Sequence, residues 1–226
     1  MGRGFEMSKR KLYIYSGIAI FFLVLFACFF NPYKFALDCV NTKHYKIASL
    51  TATIYQNLKD DKQKWYSING YSKFHLKKYK SAIKDYDKAY LMATDDYGYM
   101  DFDNKIYIKY YTKDYDGALE DFDDEIQNTV GDGKANSFLW DKAQFLYNIK
   151  RYEDALDLYN KLIIKSQDDE IYLIKSRLYY ERAQVLDKLG KIKQAKKDRD
   201  IADDLKIEET LKTPIPKPVL LLNKEF

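Results

Sequence analysis

The chain has 226 residues, with 38 Lys plus Arg against 34 Asp plus Glu, so its net charge is +4 with both histidines neutral. It is 46% hydrophobic and carries 22 Tyr and 13 Phe, far too aromatic for a disordered, solvating chain. Nine Gly and four Pro leave little turn material, which disfavours sandwiches and barrels, and two Cys with two His, His44 and His75, exclude a disulfide scaffold and most metal sites.

The first eleven residues include Arg3, Lys9, Arg10 and Lys11. Leu12 to Phe30 then reads LYIYSGIAIFFLVLFACFF, without a single charge. As a helix this run is about 28 Å long, close to the ~30 Å hydrocarbon core of a bilayer. The basic flank predicts a transmembrane signal-anchor over 12–30, with residues 1–11 cytoplasmic and the rest outside. No A-x-A cleavage site follows, which favours an uncleaved anchor over a removed signal peptide. Leu25-Phe26-Ala27-Cys28 resembles a lipoprotein box, which leaves lipidation at Cys28 as an alternative, although Phe26 is bulky for that motif and Phe29 and Phe30 are apolar where a lipoprotein turns polar.

Beyond the anchor an alanine pattern recurs. KHYKIASLTATIY, KKYKSAIKDYDKAY, KDYDGALEDFDDEI, KRYEDALDLYNKLI and GKIKQAKKDRDIAD place Ala48, Ala82, Ala118, Ala155 and Ala195 at spacings of 34, 36, 37 and 40. An aromatic follows four residues later in three copies, at Tyr86, Phe122 and Tyr159, whereas Arg199 holds that place in the last. From the second onward each copy is preceded by another helical run: WYSINGYSKF, DFDNKIYIKYY, FLWDKAQFLYNI and LYYERAQVLDKLG. A self-similar period of this length is that of a stacked helix-pair repeat.

These runs resemble the tetratricopeptide repeat (TPR) family over about residues 32 to 206. The resemblance implies an all-α chain of four to five antiparallel helix pairs, stacked into a right-handed superhelical solenoid over 31–212 and preceded by the transmembrane helix. Gly70, Ala143 and Ala183 match the small position of the family's first helix, and Ala82, Ala118, Ala155 and Ala195 the facing small position of the second. Ala89 and Ala202 match a further small position. Large side chains at such places would hold two helices apart. The proline that often ends a repeat is missing, its place near Asp95-Asp96 or Asp168-Asp169 suiting the N-terminus of a following helix. Ile106 or Tyr107 replaces one small residue. The turn Tyr111-Thr112-Lys113-Asp114-Tyr115 reads as one residue short, and the spacing of 40 implies a longer helix from about Asp169 to Leu189. Pro32 suits the first position of a short helix, with Cys39 on its inward face.

In the TPR family the first helices of the pairs line a concave groove that takes a peptide or a partner helix. The matched positions are Tyr71, Phe74, Tyr107, Tyr110, Tyr111, Trp140, Gln144, Tyr147, Tyr180 and Gln184, of which some belong to inter-repeat packing. Charge is segregated: residues 41–94 hold eleven Lys against four Asp, whereas 95–133 hold twelve acids against three Lys. Such polarity suits steering of a charged partner, although solvated outer faces pairing with their neighbours are the plainer account. An acidic middle and a balanced total argue against nucleic acid.

No nucleophile elbow, zincin motif or phosphate-cradling loop is present, so catalysis and cofactors are not expected. Thr112, Asp114, Asp116, Gly117 and Asp123 mimic a calcium loop, but Thr stands at its first ligand place and the segment fits a turn and helix. The tail 213–226, with Pro214, Pro216 and Pro218 before Val219 to Leu222, should be extended. It would cap the last pair near Ile201 and Leu205 or serve as an interaction motif. The sequence therefore reads as a single-pass scaffold in a bacterial inner membrane, its repeats extracytoplasmic and binding a protein or peptide in an adaptor or assembly role. A permanent subunit of an envelope complex or a homo-oligomer, anchored by lipid at Cys28, is the alternative.

Overall fold

The computed structural model describes residues 31–58, 61–93, 97–129, 132–166 and 175–205. Those residues form ten α-helices and no strand: α1 Pro32–Asn41, α2 Tyr45–Tyr55, α3 Lys62–His75, α4 Tyr79–Met92, α5 Tyr97–Tyr111, α6 Tyr115–Asn128, α7 Asp132–Asn148, α8 Tyr152–Lys165, α9 Lys175–Lys188 and α10 Ile192–Asp204. The predicted membrane span at 12–30, both acidic pairs and the tail lie outside the described residues, as does the start expected near Asp169 for the last long helix. Among the described residues no helix is long and apolar enough to cross a membrane. The chain falls into two compact units that divide inside α5, between Ile108 and Lys109.

One turn is used five times. Each odd helix is joined to the next by three residues: 42–44, 76–78, 112–114, 149–151 and 189–191. The middle residue is left-handed in every case, with φ of 62° at Lys43, 59° at Lys77, 62° at Lys113, 66° at Lys150 and 71° at Gly190. Its N–H donates three residues back, as from Lys113 to the Tyr110 carbonyl at 3.1 Å, and the next N–H donates five back, as from Asp114 to Lys109 at 2.8 Å. This pair of bonds is the Schellman closure of a helix C-terminus. The third residue then starts the following helix. Asp114 does so with its side chain, accepting from the Gly117 N–H at 3.3 Å. The turn after Tyr111 is thus the same length as the others, contrary to the sequence reading. Lysine at the left-handed place hides the motif, and Ile106, not Tyr107, is the residue in register with Gly70.

The alanines lie where helix backbones approach. Ala48, Ala82, Ala118, Ala155 and Ala195 are all fully buried, as are Ala89, Ala143, Ala183 and Ala202. At Gly70 a Cβ would meet the Tyr86 ring at 3.1 Å, so the glycine makes room for the aromatic of the paired helix. In the first unit, Ala36, Ala48 and Ala52 join Leu37, Cys39, Val40, Trp65 and Ile68 in one core, and Ala82, Tyr86 and Ile108 form another. Tyr33 at the start of α1 and Tyr55 at the end of α2 both pack on Trp65, with centroids at 5.7 and 5.1 Å, which fixes that pair as antiparallel. Asn31 caps α1 by accepting from the Lys34 N–H, with Pro32 in the first turn. In the second unit Ala183, Leu186 and Ala195 pack together with Leu156.

Two helix pairs are also bolted by an ion pair in the same register. Lys73 reaches Asp85 at 2.5 Å, and Lys109 reaches Asp121 at 2.5 Å. In the last pair Arg182 grips Asp198 through two bonds of 2.7 and 2.8 Å.

The left-handed turn gives a direct test. A Cβ at Gly190 meets nothing within 4 Å, so only its backbone conformation opposes a side chain. Gly190→Ala should cost about 1 kcal/mol, and Lys113→Gly should stabilise by less than that, because glycine loses more chain entropy on folding. Urea midpoints of the two variants should move in opposite directions.

Candidate partner-binding surfaces

In the first unit the turn geometry gathers aromatic side chains. A helix ending at the turn and the one leaving it present neighbouring residues, so Phe74 packs on Tyr79 at 5.9 Å and also meets Tyr107 at 5.8 Å. Tyr45, the first residue of α2, stacks flat on His75 with centroids 4.4 Å apart and 7° between planes. Tyr71 flanks both rings, at 6.4 and 4.6 Å. Partial burial lowers the His75 pKa, so the imidazole is neutral around pH 7 and stacks as an uncharged ring. Three predicted groove residues, Tyr71, Phe74 and Tyr107, are therefore brought into one half-buried aromatic row. His75 and Tyr45 complete it.

In the second unit the organising group is Glu181, which is only 3% exposed. Its carboxylate accepts from Trp140 Nε1, from Tyr159 OH at 3.0 Å, from Gln144 Nε2 at 3.3 Å and from Arg177 Nε at 3.1 Å. The Arg177 guanidinium also lies over the Trp140 ring, 4.5 Å from its centroid. A buried carboxylate is tolerated only when so many donors replace its water. Burial still dominates: it raises the Glu181 pKa, with the Trp140, Arg177 and Tyr159 contacts pulling the other way. Arg177 is about one-third exposed, so the site offers a half-buried indole with a cation held against it. That surface suits an aromatic or acidic side chain.

Other predicted groove residues are placed differently. Tyr110 packs on Tyr115 at 5.9 Å and Tyr147 on Tyr152 at 5.6 Å, so both clasp the turn of their own pair, and Tyr110 also reaches Phe145 of the following pair at 6.2 Å. Tyr111 is 55% exposed, while Tyr180 and Gln184 on α9 are half-buried. Sequence reasoning missed Arg177 and Glu181. A signal existed, because Glu181 stands in register with Ile68 and Asn104, both buried, and an acid at an inward place needs donors around it.

The charge segregation survives as the differently charged exposed faces of two helices. On α4 of the first unit Lys80, Lys84 and Lys88 are exposed, and on α6 of the second Asp116, Glu120, Asp123 and Asp124 are exposed. Cys39 is buried and outside any disulfide. Among the described residues there is no group of three or more side chains able to hold a metal ion.

Two tests isolate these sites. The folded chain holds the Glu181 proton more tightly than the unfolded chain does, so this group's stabilising contribution is complete below the ordinary value of 4.5 and is lost as pH rises through the raised pKa. Subtracting the stability of Glu181→Gln from that of the native chain should give a difference that falls with rising pH above 4.5 and is flat below it. Tyrosine hydroxyls provide the second test. The buried Tyr86 hydroxyl has no hydrogen-bond partner, whereas that of Tyr159 donates to Glu181. Tyr86→Phe should be neutral or stabilising and Tyr159→Phe should cost about 1 kcal/mol, as read by denaturant unfolding.

No family model matches the sequence, and no curated protein matches it. Solved structures do. The chain is similar to the nearly identical TPR-like repeats of a Podosopora anserina protein, with a TM-score of 0.53 at 8% identity, covering 76% of this chain and 92% of that one. It is similar to YrrB, a TPR protein with an unusual peptide-binding site, at TM-score 0.47 and 15% identity over 81% of this chain and 92% of that one. It is also similar to Bacillus thuringiensis PlcR in complex with the peptide PapR7 and DNA, at TM-score 0.47 and 19% identity over 76% of this chain and 68% of that one. At 8% identity the first likeness extends to the fold and no further: the described chain is an all-helical, TPR-like repeat fold.

Proposed function

We propose that this chain is a membrane-anchored scaffold of the TPR family that binds a protein or peptide partner at the cell envelope in an adaptor or assembly role. The carrying observation is the Trp140, Arg177 and Glu181 arrangement on α7 and α9, two first helices of their pairs, which is where TPR arrays take up ligands. The indole and guanidinium are pre-set by Glu181, so little side-chain entropy is lost when a partner docks on them. A half-buried, charged surface of this kind supports reversible capture rather than a permanent subunit contact, whose core is more apolar. The anchor at 12–30 and the extracytoplasmic placement of the repeats rest on the uncharged nineteen-residue run and its basic flank.

Trp140→Ala should weaken partner capture at least tenfold, as expected when an aromatic anchor of an interface is removed. Lys84→Ala, on the outer face of the other unit, should leave it unchanged. Cross-linking in native membranes, quantified by mass spectrometry, reads both, and equal adduct yields from the two variants would remove this surface from consideration. Protease added to spheroplasts should digest the repeats, and full protection would reverse the orientation.

A further inference from the structure

One face of α2 is unlike any other in the first unit. Ile47, Leu50, Ile54 and the following Leu58 are 44%, 62%, 48% and 68% exposed. Spacings of three and four place Ile47, Leu50 and Ile54 on one stripe of the helix, within about 60° of one another at ~100° per residue, and Leu58 follows in the turn just beyond its end. The inward face is separate and consists of Ala48, Thr51 and Ala52. Four large aliphatic side chains in a row on a soluble surface mark a contact with something apolar.

We infer that this stripe lies on the lipid bilayer, as a second, in-plane membrane contact beside the anchor at 12–30. The inference rests on the anchored reading above and adds to it a surface of the folded repeats. Chain geometry supports it. The apolar run ends at Phe30, one residue before Asn31 caps α1. With ten residues α1 is about 15 Å long, and with eleven α2 is about 16 Å. Because Tyr33 and Tyr55 both rest on Trp65, the far end of α2 returns to the level at which α1 begins. Ile54 is thereby brought back to the level of Asn31, which follows the apolar run directly in sequence. Charge is complementary as well. Lys43 and Lys46 are exposed next to the stripe, with no acid between Thr42 and Leu58. A basic surface around an apolar stripe is the composition of helices that lie at an anionic bilayer interface.

The test uses the full chain reconstituted into vesicles of phosphatidylcholine and phosphatidylglycerol, with and without lipid brominated near the headgroup end of its acyl chains. Leu50→Trp and Leu58→Trp report from the stripe, Lys84→Trp reports from the exposed face of α4, and the native chain supplies the background of Trp65 and Trp140. Quenching of the added indole should be at least twofold stronger at positions 50 and 58 than at 84. Equal quenching at all three, in vesicles from which alkaline carbonate fails to extract the protein, would overturn the inference while leaving the anchor intact. Extraction by carbonate would overturn the anchored reading, and this inference with it. A blue-shifted but unquenched indole whose shift grows with the protein-to-lipid ratio would assign the stripe to a second copy of the chain and overturn the bilayer contact.

Discussion

The rest of the structure depends on a three-residue turn whose middle residue is left-handed. It ends one helix, starts the next and aims the two antiparallel without a proline or, in four of five cases, a glycine. Each left-handed lysine costs about a kilocalorie of backbone strain. The two backbone bonds of the Schellman closure and the burial gained by pairing the helices offset that cost. Because the turn length never varies, the residues on either side keep a fixed register. Gly70 faces Tyr86, and the Lys73–Asp85 and Lys109–Asp121 pairs recur at equivalent places.

The same register explains why aromatic residues gather near the turns. A side chain five residues before the first residue of the second helix meets it across the bend, as Phe74 meets Tyr79, Tyr110 meets Tyr115 and Tyr147 meets Tyr152. These contacts are local, so they stabilise each pair before it stacks on another. Other aromatic contacts join consecutive pairs, as Tyr45 with Tyr71 and His75 in the first unit and Tyr110 with Phe145 in the second.

The helix pairs were legible because burial at a close helix crossing admits only small residues, and Ala82, Ala118 and Ala155 repeat at nearly constant spacing. The turn in the middle of the chain was not, because Lys113 has no visible preference for a left-handed backbone and only the hydrogen bonds from Lys113 and Asp114 reveal it. The candidate site was half legible. Trp140 and Gln144 follow from their place on the first helix, but Arg177 and Glu181 become meaningful only once the fold brings residues 37 apart, such as Trp140 and Arg177, into contact. Likewise Tyr110 and Tyr147, matched to groove positions in sequence, also clasp the turns that follow them, since a tyrosine serves packing and recognition with the same ring.

Arg199 takes the place that Tyr86, Phe122 and Tyr159 hold in earlier pairs, and it forms an ion pair with Asp187. Both side chains are about one-third exposed or more, so the last described pair trades an apolar filler for a hydrated one. Anything that packs on this place must strip water from an ion pair, where the earlier pairs offer an aromatic ring. The place that holds a ring in three pairs thus also admits a charged arm, provided that an acid stands on the facing helix to receive it.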